Sequence, residues 1–261
     1  MTAASRWAAD LADWAIPEHI LQAAPDDPHR FSVERFVELA TEALRQPRTP
    51  THERAREALP DGGSVLDVGC GGGAASLPLT PPARRMVGVD QSAGMLAAFA
   101  RAAAQRGVEA HTVEGTWPVV APMTPVADVV VCAHVVYNVG DLVPFVRALA
   151  DHARHRVVLE LPARHPLAWL APYWRAFHDI DRPQGPTADD ALSVLRDMGL
   201  QPRDERWMRP NSLHGAAMDA RAEFIRKRLA LSADRDDDLR TMIDRIGVPV
   251  GREVITAWWD A

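Results

Sequence analysis

The spacing of hydrophobic positions changes near residue 60. Before it, apolar residues recur at helical spacing in 5–24 and again in 32–46, where Ser32 is a candidate N-cap. A Pro- and Asp-containing stretch at 25–29 separates these segments, and Thr51 is a candidate N-cap for a further short helix. The pattern predicts a helical N-terminal region.

Beyond residue 60, short β-branched runs alternate with helical stretches. Strand-like runs cover 64–69, 85–90, 109–115, 127–133 and 156–161, and helical stretches cover 92–107 and 141–153. Strand, helix and strand in series require crossover connections and therefore a parallel sheet. The runs are apolar on both faces, which is typical of a sheet covered by helices on both sides. The pattern predicts a doubly wound α/β fold.

The last third of the chain predicts a strand pair separated by helices. A segment rich in proline and aromatic residues, 162–187, precedes a predicted helix at 188–198 and a strand at 205–210. Two helical stretches at 216–230 and 234–246 lead to a final predicted strand at 253–260.

Composition argues against several classes of protein, including disulfide-rich secreted proteins and membrane proteins. The 261 residues suit one large domain, and the net charge of −6 argues against a broad nucleic-acid surface. Two cysteines, Cys70 and Cys132, do not make a disulfide scaffold and fit a reducing cytoplasm. No apolar run approaches the ~20 residues that cross a bilayer, and the N-terminus lacks a secretory signal pattern. His152 and His155 are expected to lie at an exposed helix end, and no metal site is predicted.

A glycine-rich turn ends the first predicted strand in the stretch VLDVGCGGGAAS, residues 65–76. A glycine loop at the carboxyl end of a parallel strand is a ligand site, because the backbone turns sharply and lets a ligand approach. The spacing of Gly69, Gly71 and Gly73 differs from the GxGxxG of dinucleotide sites, and no GK[ST] of a P-loop follows. Asp67 before the glycines favours a ligand with a positively charged amine or sulfonium.

The segment VLDVGCGGG resembles motif I, (D/E)xGxGxG, of the class I S-adenosylmethionine (SAM)-dependent methyltransferases. The resemblance covers roughly residues 60–165, with a looser match to the end. It implies SAM as cofactor and a Rossmann-like, mostly parallel seven-stranded sheet with helical insertions after strand five and between the last two strands. The implied division is an N-terminal helical lid at 1–59, a SAM-binding core at 60–161, and a remainder at 162–261 with the acceptor-pocket insertion and the final strands.

A second match lies in VGVDQSAGML, which ends a strand in Asp90. This position resembles the family's acidic residue that accepts hydrogen bonds from both ribose hydroxyls. Gln91 is expected to line the ribose edge and Met95 to cover the adenine. A surface position for Gln91 and a core position for Met95 are the alternatives.

The segment after the third strand departs from the family pattern. Family members often have Gly-Asp-Ala there, whereas this chain has Glu114-Gly115-Thr116-Trp117. Thr116 or Glu114 is therefore expected to hold the adenine amino group, and Trp117 to stack beside the ring. The complete set of predicted cofactor contacts is Asp67, Gly69, Cys70, Gly71, Gly73, Asp90, Gln91, Met95, Gly115, Thr116, Trp117, Ala133 and His134.

Candidate catalytic residues follow the fourth and fifth strands. The sulfonium carries its own leaving group, so a base is required only where the acceptor is protonated. The fourth strand resembles motif IV but lacks the NPPY or DPPY of enzymes that methylate amino groups. His165, near Glu160 at the end of strand five, is the candidate base, and Tyr137 is expected to orient the substrate. His134 is expected to contact the cofactor, with a base role as the alternative.

The family's strand order places strands one and four side by side, so Cys70 and Cys132 are expected as neighbouring free thiols.

Insertions after strand five often form the family's acceptor pocket. The alternative is that the aromatic segment 162–187 packs on the core through a helix face formed by Leu167, Leu170, Trp174 and Phe177. The predicted substrate-pocket residues are Tyr137, Asn138, Trp169, Tyr173, Trp174 and His178.

The leading functional prediction is a cytoplasmic methyltransferase that modifies an O, N or C atom of a small, partly apolar molecule. The basic runs at 154–156 and 226–228 keep open an RNA or protein methyltransferase, although such runs are usually solvated helix faces. A third alternative is a non-catalytic SAM-binding module, because a fold does not define a function.

Overall fold

The structure is a computed structural model that describes residues 1–46 and 48–261. Its described residues form one seven-stranded sheet in the order β3-β2-β1-β4-β5-β7-β6. Strands β1 to β5 are parallel, whereas β7 lies antiparallel between β5 and β6. The predicted Rossmann-like, mostly parallel sheet is confirmed. The strands are β1 Ser64–Val68, β2 Arg85–Asp90, β3 Glu109–Glu114, β4 Ala127–Ala133, β5 Ala153–Pro162, β6 Arg203–Pro210 and β7 Gly251–Asp260.

Helices flank the sheet and fill the segments between its strands. The α-helices are α1 Ala3–Ala12, α2 Glu18–Ala23, α3 Val33–Arg45, α4 Pro50–Arg56, α5 Ala93–Ala104, α6 Leu142–Asp151, α7 Ala171–His178, α8 Ala188–Asp197, α9 Met218–Arg228 and α10 Asp236–Ile246. The predicted insertions are present, because α7 and α8 follow β5 and α9 and α10 separate β6 from β7. Within the described part of the chain, no helix combines the length and the apolar character needed to cross a membrane.

Two helix starts test the capping predictions. Ser32 caps α3, since its side chain accepts the N–H of Arg35. The prediction for Thr51 is wrong: Thr49 caps α4 and Pro50 takes the first helical position, where the missing N–H costs nothing. Thr51 instead lies inside the helix and points its hydroxyl towards the sheet.

The sheet separates two hydrophobic clusters. Val130 and Val157 face one side, where Trp7 of α1 and Phe145 of α6 complete the cluster. Val129, Val131 and Val158 face the other side, with Ala55 of α4 and Phe99 of α5. A third cluster joins α7, α9 and α10. Because both faces are covered, the central strands are apolar throughout.

Two sequence expectations change in this arrangement. Strands β1 and β4 are neighbours as expected, and Cys70 and Cys132 are buried free thiols. They pack in different clusters on opposite faces of the sheet, however, because the loop after β1 turns Cys70 towards α5. His155 lies in β5, since α6 already ends at Asp151.

Candidate functional site

The glycine loop leaves β1 at the carboxyl edge of the sheet. The backbone N–H groups of Gly69 and Cys70 both donate to the Val89 carbonyl of β2, at 2.8 and 3.0 Å. Gly69 has φ 72°, and a Cβ there would lie 2.3 Å from Cγ2 of Val135, just beyond β4. A Cβ on Gly71 would lie 2.5 Å from Cδ1 of Phe36 in α3. The loop is therefore packed between the end of β4 and an N-terminal helix, with no room for side chains.

Asp90 ends β2 beside this loop. Its Oδ2 accepts the N–H of Gly71 at 2.9 Å, and its Oδ1 accepts the N–H of Ser92 at 3.0 Å. A carboxylate offers about four lone-pair sites, so two oxygens with one bond each can still accept hydroxyl protons. Gln91 is exposed and Met95 is buried in α5. The predicted ribose contact is thus compatible with the geometry. Gln91 lies at the surface and Met95 lies in the core, which are the alternatives to a cofactor contact for these two residues.

Asp67 is a carboxyl buried in the sheet, with only 1% of its surface exposed. The Ser76 hydroxyl donates to its Oδ2 at 2.5 Å. Burial raises the pKa of Asp67 to about 7, and the negative charge of Asp90 acts in the same direction. A buried carboxyl of this kind is stabilised in its charged form by a neighbouring cation. The glycine loop, Asp90 and Asp67 together fit a ligand with ribose hydroxyls and a positive charge.

The predicted adenine contacts lie on the other side of Asp90, after β3. Glu114 and Thr116 are exposed, so both side chains can meet a ligand. Gly115 has φ 147°, and a Cβ there would lie 2.3 Å from Cγ1 of Val120. Trp117 is buried and its Nε1–H donates to the Phe145 carbonyl at 3.2 Å. Trp117 packs against α6, and its stacking on adenine stays a prediction.

The end of β4 carries a polar cluster. His134 follows Ala133 with φ 62°, and its backbone N–H donates to the Glu160 carbonyl at 2.8 Å. Its Nε2 lies 2.8 Å from Oε1 of Glu160, which also accepts from the Arg209 guanidinium. The other carboxylate oxygen of Glu160 accepts from the Thr51 hydroxyl at 2.5 Å. These four residues form the His134–Glu160 cluster.

Electrostatics define the charge states in the His134–Glu160 cluster. Burial alone raises the pKa of Glu160, but the His134 hydrogen bond and the Arg209 charge outweigh it and hold the pKa below its ordinary value. Burial lowers the pKa of His134 to about 4, although Glu160 opposes this effect. At neutral pH the cluster therefore holds an ionised carboxylate beside a neutral imidazole.

The predicted catalytic residues Tyr137 and His165 lie against each other. The Tyr137 hydroxyl donates to the Pro162 carbonyl at 2.9 Å. The His165 ring stacks on Trp14 with centroids 3.7 Å apart and meets the edge of Tyr137 at 5.4 Å. Burial, assisted by the charge of Arg182, lowers the pKa of His165 to about 3. These rings join the N-terminal region to the segments after β4 and β5.

The predicted pocket residues lie in different parts of the structure. Asn138 is exposed near the end of β4. Trp169, Tyr173 and Trp174 pack in the third cluster, against α9 and α10, and His178 Nε2 contacts the Leu229 carbonyl at 2.7 Å. The placement of these four residues favours the packing alternative. Their role in binding an acceptor stays a prediction.

Two residues of the site carried no signal in the sequence. The local pattern indicates only a helix cap for Thr51 and no role for Arg209, so neither contact with Glu160 is visible in the sequence. Arg209 reaches Glu160 because β6 pairs with β7 and β7 pairs with β5, which brings the end of β6 to the end of β5. Within the described ranges, no group of three or more His, Cys, Asp or Glu residues is arranged to hold a metal ion.

Comparison with known proteins shows what the central part of the chain resembles. Residues 65–156 match the family model of a methyltransferase domain. The chain is 29% identical to the ubiquinone biosynthesis O-methyltransferase of Ruegeria pomeroyi over 157 residues. This match covers 54% of the chain and 61% of that protein, less than two thirds of the relative's length.

Solved structures share the fold. The YcgJ protein of Bacillus subtilis aligns with a TM-score of 0.55 at 19% identity, over 84% of this chain and 98% of that one. The magnesium protoporphyrin IX methyltransferase of Synechocystis PCC 6803, with bound SAH, aligns with a TM-score of 0.54 at 15% identity, over 97% and 94%. At these identities the likeness concerns the fold alone. Together, the matched domain, the strand order and the glycine loop show that the chain is similar to the class I SAM-dependent methyltransferases, and they support SAM as its cofactor.

Proposed function

We propose that this protein transfers a methyl group from SAM to an oxygen atom of a small, partly apolar molecule. The observation that carries the proposal is the hydrogen bond between Asp90 and the glycine loop, which places a carboxylate acceptor beside that loop. When bound, SAM supplies an electrophilic methyl group on a sulfonium that leaves as a neutral thioether.

The chain's own residues bind and orient the cofactor in this proposal. Asp90 accepts hydrogen bonds from the ribose hydroxyls, and Asp67 favours the positively charged end of the ligand. Thr116 or Glu114 holds the adenine amino group. Helix α3, whose Phe36 lies against Gly71, excludes water from the site.

The choice of a small acceptor rests on charge and on the relative. A net charge of −6 disfavours a polyanionic substrate. The Ruegeria pomeroyi relative is named as an O-methyltransferase, which supports oxygen as the acceptor atom. Tyr137 and His165 stay predicted as catalytic residues, and Tyr137, Asn138 and the aromatic segment as substrate contacts.

Calorimetric titration of the purified protein with SAM, and separately with NAD, tests the proposal. We expect SAM to bind and NAD to give no heat of binding. Tight NAD binding or the absence of SAM binding contradicts the cofactor assignment. Transfer of radiolabelled methyl from SAM to small hydroxyl compounds then tests catalysis, and salt-sensitive binding to RNA would favour a nucleic-acid substrate.

A further inference from the structure

His134 of the His134–Glu160 cluster follows β4, one of the two strands between which the strand order reverses in the sheet. Strand β1 has β2 on one side and β4 on the other, and ligands bind at such a switch point in α/β sheets. Val135, the residue after His134, packs directly on Gly69 of the glycine loop. His134 is therefore one residue away from the contact between the end of β4 and the predicted cofactor loop.

The hydrogen bonds of Glu160 define the tautomer of His134. An ionised carboxylate only accepts hydrogen bonds, so the 2.8 Å contact requires a proton on Nε2 of His134. Arg209 lies 3.2 Å from the same Nε2, but a guanidinium has no lone pair and donates to Oε1 of Glu160 instead. The neutral imidazole thus carries its proton on Nε2 and a free lone pair on Nδ1.

Nδ1 of His134 is buried and has no hydrogen-bond partner within the described residues. A buried acceptor without a partner destabilises the folded protein, because it has lost its hydrogen bonds to water. The residue also adopts a left-handed backbone conformation, which is uncommon for residues other than glycine and gathers at functional sites. Strain and an unsatisfied nitrogen in one residue indicate a position retained for a ligand that donates a hydrogen bond.

We propose that His134, oriented by Glu160, is the general base that accepts the proton of a hydroxyl acceptor. This inference rests on the proposed function. The acceptor oxygen forms a bond to the methyl carbon while the carbon–sulfur bond breaks and its electron pair stays on sulfur. The hydroxyl proton moves to Nδ1, and the resulting imidazolium donates to Glu160 through Nε2–H. Thr51 and Arg209 hold the Glu160 carboxylate in place for this step.

His165, the base candidate indicated by the sequence, lacks this arrangement. Its Nδ1 already accepts the N–H of Leu167 at 3.3 Å, and its ring is stacked on Trp14. Arg182 is the charged group that acts on its pKa, and a cation disfavours an imidazolium. Glu160 has the opposite effect on His134, because a carboxylate stabilises the protonated ring, although burial and the charges of Arg252 and Arg209 keep the pKa of that ring below its ordinary value.

The test uses the full chain with His134→Asn, because asparagine tolerates a left-handed backbone. His155→Asn is the matched control, because His155 lies near the start of β5 and Glu160 lies near its end. The acceptors are phenol and catechol, whose hydroxyls are protonated at pH 8.5, and 4-nitrophenol, which is ionised there. We expect His134→Asn to lower kcat at saturating SAM about 100-fold or more for phenol and catechol and only a few-fold for 4-nitrophenol. Equal rates for wild type and variant on phenol or catechol overturn the proposal, as does SAM binding without transfer to any of the three acceptors.

A second measurement is independent of turnover. Nitrogen-15 spectra of labelled histidine are expected to show His134 protonated at Nε2 and unprotonated at Nδ1 at pH 7. A proton on Nδ1 overturns the assignment of the base. Failure of SAM to bind the wild-type protein contradicts the proposed function instead, and the histidine spectra still decide the state of His134.

Discussion

The Oδ2 atom of Asp90 accepts the backbone N–H of Gly71 at 2.9 Å, which joins the end of β2 to the glycine loop after β1. The same carboxylate binds the N–H of Ser92 at the start of α5. One side chain thus orders the loop, and its remaining lone pairs are the predicted acceptors for the ribose hydroxyls.

Replacement of Asp90 is expected to weaken the binding of SAM. Asp90→Ala removes the acceptor for the ribose hydroxyls and loosens the loop, so the Kd should rise about 10-fold or more in a calorimetric titration. Glu109→Ala is the control. Glu109 is an exposed acid at the start of β3, so this variant should bind SAM as the wild type does. Unchanged affinity in Asp90→Ala would mean that the ribose is held elsewhere.

The buried carboxyl of Asp67 predicts a pH dependence of stability. Its pKa is raised from 3.8 to about 7 by burial, so the folded protein keeps a proton that the unfolded chain has already lost in this range. Its contribution to stability is therefore complete below pH 3.8 and lost as pH rises to about 7, a change of about 4 kcal/mol. Urea unfolding of the wild type and of Asp67→Asn between pH 4 and 8 should show that the variant lacks this decline. Parallel curves for the two proteins would contradict the assignment.

Trp174 separates the pocket prediction from the packing alternative. Only 2% of its surface is exposed, and it lies in the cluster that joins α7, α9 and α10. Trp174→Ala should lower the free energy of unfolding by about 3–5 kcal/mol in urea. Trp169→Ala, at a half-buried position of the same segment, should cost less. A Trp174→Ala protein with wild-type stability and impaired methyl transfer would support a substrate role.

Arg228 holds the segment that leads into α3. It is 5% exposed, and its guanidinium donates to the carbonyls of Pro28 and Arg30 and lies 3.7 Å from the Phe31 ring. Arg228→Met keeps the volume but removes the hydrogen bonds. Amide hydrogen exchange in residues 31–45 should then become about 10-fold faster, because the cost of local opening falls.

The same helix supplies the control for Arg228. Arg226 pairs with Asp236 of α10 at 3.1 Å, so Arg226→Met should affect exchange at the start of α10 and leave residues 31–45 unchanged. Equal exchange of α3 in wild type and Arg228→Met would mean that other contacts hold this helix over the glycine loop.

Much of the fold could be predicted from the sequence because its signals are local. Runs with β-branched residues predicted six of the seven strands to within a few residues, the segment 205–210 predicted β6, and Ser32 predicted the start of α3. The glycine loop and Asp90 could be found in the same way, since each lies directly after a strand whose hydrophobic pattern is clear. Residues at the carboxyl ends of neighbouring parallel strands must meet at one edge of the sheet.

The partners of buried polar groups were decided by the tertiary structure alone. Nothing in the local pattern assigns Thr51 to Glu160, which is 109 positions away, or brings Arg209 to the same carboxylate. These contacts depend on β7 lying between β5 and β6 and on α4 crossing the sheet. The sequence by itself thus determined the strands, the loop and the resemblance to a family. The packing determined that His134 has a buried carboxylate on one nitrogen and a free lone pair on the other.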